Sequence, residues 1–158
     1  MRILIVSDTH GNDTGIVLAL HALQPVDLVV HCGDGEADIY LLESIDNTAT
    51  IRVAGNCDAG SSAPRELLCE WKGVNVLICH GDWYGVKAGL ARLEARGCEA
   101  GVQAILYGHT HLPMVEERSG MLLVNPGTLF SQAPFKSCAL LEVEGAGGLQ
   151  ATIHPLSC

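Results

Sequence analysis

Five short segments of the chain set oxygen or nitrogen donors beside glycine. They are SDTHGN with Asp8 and His10, CGDGE with Asp34, AGNCD with Asn56, CHGD with His80, and YGHTH with His109 and His111. Two Asp, four His and one Asn make a mixed O/N donor set without thiolate. Such a set suits Mn²⁺, Fe²⁺, Co²⁺, Ni²⁺ or Zn²⁺ rather than a cysteine-bound structural zinc. Seven donors exceed what one ion needs; two ions roughly 3.5–4 Å apart, bridged by a carboxylate, fit the number better. In YGHTH, alternate residues of an extended segment face one side. His109 and His111 therefore turn the same way, each towards one of two metals, while Thr110 points away. Each residue also has a plainer reading. Asp8 could cap a helix, Asp34 and Asn56 could be turn residues, and His80 could be a satisfied strand-edge histidine. Those readings would have to hold at every strand end at once.

The elements that position these donors are legible as hydrophobic runs. RILIVS, DLVVHC and ATIRVAG read as buried strands, separated by the helical patterns DTGIVLALHALQ and EADIYLLESI. Asn12 or Asp13 is available as N-cap of the first helix. This strand–helix–strand alternation implies parallel strands with right-handed crossovers. From residue 66 onward strands dominate: RELLCEW, NVLICH, QAILYG, MLLVNPG, SCALLEVE and LQATIHPL, with a helix around VKAGLARLEARG and a Lys72-Gly73 hairpin turn. Every donor segment follows one of these strands. In α/β sheets ligands bind at the carboxyl ends of the strands, and glycine lets the backbone turn sharply beside a ligand. The expected architecture is a single α/β domain spanning residues 1–158, two mixed sheets packed face to face with helices outside.

Composition limits the function. The 158 residues are 48% hydrophobic and only 17% charged, so a packed core is expected rather than disorder. A net charge of −9 without a Lys/Arg cluster argues against specific nucleic-acid binding and against an anionic membrane surface. It does not exclude an anionic substrate, provided cations offset the carboxylates within a site. MRILIVSD is too short for a signal-peptide core, and no apolar run approaches a membrane span, so a cytoplasmic location is expected. The seven cysteines are scattered and lack a CxxC pair, which argues against a zinc-ribbon or disulfide framework; most read as small buried hydrophobes. His21 and His154 lack donor company, and His31 reads as a core or supporting histidine.

The order D-x-H, G-D, G-N, H-G, G-H-x-H, together with NPGT at 125–128, resembles the calcineurin-like metallophosphoesterase superfamily. The short chain is similar to its small prokaryotic branch, the YfcE-like phosphodiesterases. The resemblance covers essentially the whole sequence and implies a four-layer α/β/β/α fold and a two-metal hydrolase. It implies that Asp8, His10 and His111 bind one metal, that Asn56, His80 and His109 bind the second, and that Asp34 bridges them. Mn²⁺ is the expected metal, with Ni²⁺, Co²⁺, Fe²⁺ or Zn²⁺ as alternatives. Asp34, Asn56 and His80 count as catalytic, and Asn56, Cys57 and Asn125 are expected at the substrate.

The implied reaction is phosphodiester hydrolysis by a hydroxide held between the metals. The larger phosphatases of the superfamily place a histidine directly after the metal-binding Asn, paired with the next Asp, as acid for the leaving group. Here Cys57 stands there, followed by Asp58, which leaves leaving-group protonation open. A phosphomonoesterase or pyrophosphatase would use the same core, and a non-catalytic interaction module of this fold would show an eroded ligand set. The expected partner is a small phosphate ester; a homo-oligomer is also compatible with the sequence.

Overall fold

A computed structural model describes residues 1–145 and 147–156. In the first sheet β1 (Arg2–Val6), β2 (Leu28–His31) and β3 (Ala49–Arg52) run parallel, joined through α1 (Asp13–Leu23) and α2 (Ile39–Ile45). The second sheet holds β4 (Glu66–Trp71), β5 (Val74–Cys79), β6 (Ala104–Leu106), β7 (Met114–Arg118) and β8 (Met121–Asn125), with α3 (Ala91–Ala100) between the parallel β5 and β6. The chain then returns to the first sheet as β9 (Ser137–Val143), antiparallel to β1, and β10 (Leu149–Pro155). The resulting orders are β10-β9-β1-β2-β3 and β4-β5-β6-β8-β7. Both sheets are mixed.

Three apolar layers hold this together. Ile3, Ile5 and Val30 meet Val76, Ile78 and Leu106 between the sheets. On the other face of the first sheet, Leu4, Val6 and Val29 pack against Ile16, Leu20 and Ile39 of α1 and α2. Leu77, Ile105 and Leu123 likewise receive Leu93 of α3. Central strands covered on both faces read as continuous apolar runs rather than alternations. The architecture is the expected α/β/β/α sandwich.

Local chemistry follows the sequence where turn and cap residues were explicit. Asn12 caps α1, its Oδ1 accepting the Gly15 N–H at 3.1 Å. Lys72 and Gly73, with φ of 52° and 79°, form the expected tight turn. Three elements differ from expectation. Strand β7, MVEER, has too few apolar residues to stand out, but Ser119-Gly120 pairs it with β8. The helix expected from Val86 begins only at Ala91, because Gly85 and Gly89 take φ of 63° and 146°. It also runs beyond Gly97, where a Cβ would stand 2.5 Å from Ile105 Cδ1, so glycine there permits close helix–sheet packing. Finally, EADIYLLESI opens with a 3₁₀ turn, Glu36–Asp38, before α2. Cys32, Cys79 and Cys138 are buried and Cys69 half-buried, as small hydrophobes should be, whereas Cys57 and Cys98 are exposed. Cys158 lies outside the described residues.

Candidate metal centre

The two sheets meet at Gly108. A Cβ there would lie 1.9 Å from Ser7 Oγ and 2.7 Å from Asp8 Oδ2, so only glycine lets the loop after β6 reach the loop after β1. The Asp8 carboxylate joins them: Oδ2 accepts the His109 N–H at 3.0 Å and the Ser7 hydroxyl at 2.6 Å. Its Oδ1 is fully buried and lacks a well-aligned hydrogen-bond donor. It faces His111 Nε2 at 3.1 Å and His80 Nε2 at 4.0 Å. A buried carboxylate oxygen left unsatisfied is costly unless a cation occupies the space before it.

The other donors gather around it. Asp8, His10 and His111 form one group whose ligand atoms lie within 4.8 Å of one another. Asp34, His80 and His109 form a second, and His10, Asp34 and Cys57 a third, by the same distance. Asp34 is thus common to two groups and stands between their histidines. His80 Nε2 approaches Asp34 Oδ2 at 3.3 Å and His109 Nδ1 at 3.1 Å, and His10 Nε2 lies 3.5 Å from His111 Nε2. Imidazole nitrogens that face one another beside carboxylates need a shared proton or a cation between them. The His80 Nδ1–H is fixed by the Cys32 carbonyl at 2.8 Å, a contact that leaves Nε2 as the ligating nitrogen. The donor set therefore fits divalent metal.

Backbone strain concentrates here. Among the described residues seven non-glycines have positive φ, and five of them are Asp8, His10, Asp34, His109 and His111, at 53°, 47°, 57°, 69° and 60°. The other two, Lys72 and Ser119, sit in hairpin turns. Left-handed backbone at a histidine or aspartate costs energy and clusters at functional sites. It also corrects one expectation: His109 and His111 do not alternate along an extended segment. They diverge because both residues are left-handed, so His109 faces His80 while His111 faces Asp8.

The surroundings set the charges. Burial by itself would raise the Asp34 carboxyl, but hydrogen bonds from His80 and the Cys57 N–H, with the His80 charge, hold it well below the usual carboxylate range. Burial disfavours the His80 cation, yet Asp34 and Asp8 outweigh it and leave its pKa raised. Burial, His80 and Lys87 lower His109. The hydrogen bond to Asp34 and burial push the Cys57 thiol up to about 11.

Two residues expected at the substrate are placed differently from the rest. Asn125 is fully buried. Its Nδ2 donates to the Gly108 carbonyl at 2.9 Å and to Thr110 Oγ1 at 3.1 Å, and its Oδ1 accepts the Gly127 N–H at 3.0 Å. The two donated bonds brace the YGHTH loop and the accepted one closes the turn of Asn125 itself, so this amide is spent on shaping the loops of the site. Asn56 is exposed, with Nδ2 donating to the adjacent Cys57 Sγ at 3.3 Å. Cys57 itself falls within reach of the donor cluster, beside His10 and Asp34.

Sequence reasoning missed the residues that hold the loops. Asp58 accepts backbone N–H groups from Gly55 at 2.7 Å, Gly35 at 2.8 Å and Glu36 at 3.3 Å, besides Asp34. Arg65 donates to the Gly55 carbonyl and to Asp82, tying together the loops after β3 and β5. His31 is buried, Nδ1 accepting from the Gly33 N–H at 3.1 Å and Nε2 meeting Thr9 Oγ1 at 3.0 Å. Its supporting role matches the sequence reading.

Two mixed sheets with this cluster at their adjoining ends define a metallophosphoesterase-type fold. The profile of the calcineurin-like phosphoesterase superfamily domain matches residues 1–146, and the chain belongs to that family. A probable metallophosphoesterase of Methanocaldococcus jannaschii is 33% identical over 161 residues, covering 99% of this chain and 82% of the relative. The phosphodiesterase YfcE of Escherichia coli is 29% identical, over 82% of this chain and 79% of its own. A Streptococcus pneumoniae protein, described as a predicted phosphoesterase, superposes with a TM-score of 0.82 at 24% identity, over 98% of this chain and 88% of its own. Zinc-complexed Vps29 of Entamoeba histolytica shares the fold at a TM-score of 0.77 and 18% identity, over 98% and 99% of the two chains. Among the described residues no helix is long and apolar enough to cross a membrane.

Proposed function

We propose that this protein is a divalent-metal-dependent phosphodiesterase with a dinuclear centre, and that Mn²⁺ is its activator. One ion would be held by Asp8, His10 and His111, the other by Asn56, His80 and His109, with Asp34 between them. The observation that carries the reading is the buried, unsatisfied Asp8 Oδ1 beside two facing imidazole pairs, with Asp34 grouped with His10 on one side and with His80 and His109 on the other.

Two cations held there would neutralise phosphoryl oxygens and lower the pKa of a water to about 7, supplying a nucleophile at neutral pH. The protein's own groups prepare this. Asp34 stays ionised across the physiological range because His80 and the Cys57 N–H hold its charge. His80 is locked by the Cys32 carbonyl with Nε2 turned inwards. Asn56 is neutral and exposed, so its amide can meet a phosphoryl oxygen without adding charge against it. The Cys57 thiol, with its pKa near 11, likewise stays neutral. An acidic chain can therefore bind an anionic ester.

The likeness to Vps29 supports a second reading, a protein-interaction module. Against it stands the complete donor set, since all seven positions carry ligating side chains. A monoesterase or pyrophosphatase would need the same residues. A panel of phosphomonoesters, phosphodiesters and pyrophosphate, assayed with each first-row divalent metal, separates the three. Diester turnover exceeding the others supports the proposal, and no turnover with any metal would leave the interaction module.

A further inference from the structure

His111 does more than face Asp8. It also lines a hollow of about 410 Å³, whose walls include Leu112 and Pro113 from its own loop and Phe130, Pro134 and Phe135 from the connection between β8 and β9. Phe130 stands edge-on to His10, ring centroids 5.3 Å apart, so the apolar wall continues to the donor cluster. No Lys, Arg, Asp or Glu is among the described lining residues. Leu112 and Phe135 are 69% and 48% exposed, leaving apolar surface uncovered at the edge of a polar site. A larger hollow, about 540 Å³, shares Leu112 and Pro113, but Lys87 lines it and none of the seven donors does.

A phosphate ester has two kinds of surface. Its charged phosphoryl group belongs with the cations, and its organic group must go elsewhere. A wall without a Lys or Arg, polar only at His111, Thr128 and Gln132, offers little to further phosphates or carboxylates, whose desolvation it could not offset. It offers hydrocarbon a favourable exchange with water. We propose that this hollow seats one ester group of the substrate, and that the group is uncharged and apolar, about the size of an aromatic ring. The inference rests on the phosphoesterase reading and narrows it to esters of apolar alcohols, away from nucleotides carrying additional phosphates.

The test compares benzylphosphonate with methylphosphonate, binding each by calorimetry to Mn²⁺-loaded protein. These probes share the phosphonate and differ only in the apolar group, and binding does not require turnover. Burying one ring predicts roughly tenfold or greater preference for the benzyl compound. Phe135→Ala should reduce the preference to within about threefold, with methylphosphonate affinity and metal content unchanged. Equal affinity in the wild type, or a preference surviving Phe135→Ala together with Leu112→Ala, would overturn the inference. So would a Phe135→Ala protein that keeps the preference but changes its oligomeric state, since the face would then be a contact between copies. If metal binds and neither phosphonate does, the phosphoesterase reading itself fails and takes this one with it.

Discussion

Asp58 Oδ2 accepts the backbone N–H of Asp34 at 2.8 Å, although the two residues lie 24 positions apart and follow different strands. Through this bond and its three companions, one carboxylate fixes the loop that presents Asp34 relative to the loop that presents Asn56. Asp58→Asn would set an amide N–H₂ against backbone donors. We expect a loss of about 3 kcal/mol in unfolding free energy and a metal affinity weaker by roughly ten- to a hundredfold. Chemical denaturation and metal titration of the variant check both, and a variant unchanged in the two would deny Asp58 this role.

The divergence of His109 and His111 leads to a second expectation. Both occupy strained backbone at a strand end, outside the apolar layers, so replacing either by Ala removes a donor without opening a core cavity. Turnover should fall by more than about 10²-fold while unfolding free energy changes by about 1 kcal/mol or less. Asp34→Asn should be at least as damaging, because in the proposed dinuclear centre a shared carboxylate would also balance the charge of two cations. Parallel assay and thermal melting decide the matter; retained activity with severe destabilisation would make these histidines structural.

Acid sensitivity should trace to His31. Burial lowers its pKa from 6.5 to about 4. The folded state thus binds its proton less readily than the unfolded state, and stability present above pH 6.5 is lost as pH falls towards 4. Protonating Nδ1 would also sacrifice the Gly33 N–H bond. The window amounts to roughly 3 kcal/mol. His80, raised in the metal-free fold, has the opposite slope: its contribution is complete below pH 6.5 and disappears as pH rises through the folded value. Denaturation of chelated wild type and His31→Gln between pH 7 and 4.5 isolates the first effect. The variant's loss should be shallower, and parallel curves would refute it.

Much of this site could be read from the chain because the donors follow hydrophobic runs whose ends topology must bring together. Asp8, His10, Asp34, His80, His109 and His111 converge for that reason. What local pattern could not reveal depends on distant partners. Asn125 was expected at the substrate, yet its donated bonds turn inwards to Gly108 and Thr110. Asp58 resembled the partner of an absent histidine, yet backbone N–H groups occupy its oxygens. Strand β7 was invisible because its register comes from β8, and α3 was misplaced because glycines at positive φ delay its start.

Cys57 provides a fourth test. If no strong acid serves the leaving group, rate should depend steeply on the stability of the departing anion, and aryl diesters should far outrun alkyl ones. A general acid contributes about 10²–10⁴-fold. Cys57→His should therefore raise rates on poor leaving groups more than on good ones, even though Asp58 is already engaged and cannot orient the new ring. A plot of log rate against leaving-group pKa should become shallower in the variant. A uniform fall with unchanged slope would make Cys57 a packing residue.

The most direct test of the account is the number of metal ions per chain at which hydrolysis of a nitrophenyl phosphodiester returns, measured by titrating Mn²⁺ into exhaustively chelated protein. The dinuclear reading predicts no turnover in the chelated protein and full activity only as the second ion per chain is bound. Full turnover with no metal bound, or a rate that saturates with a single ion, would contradict it.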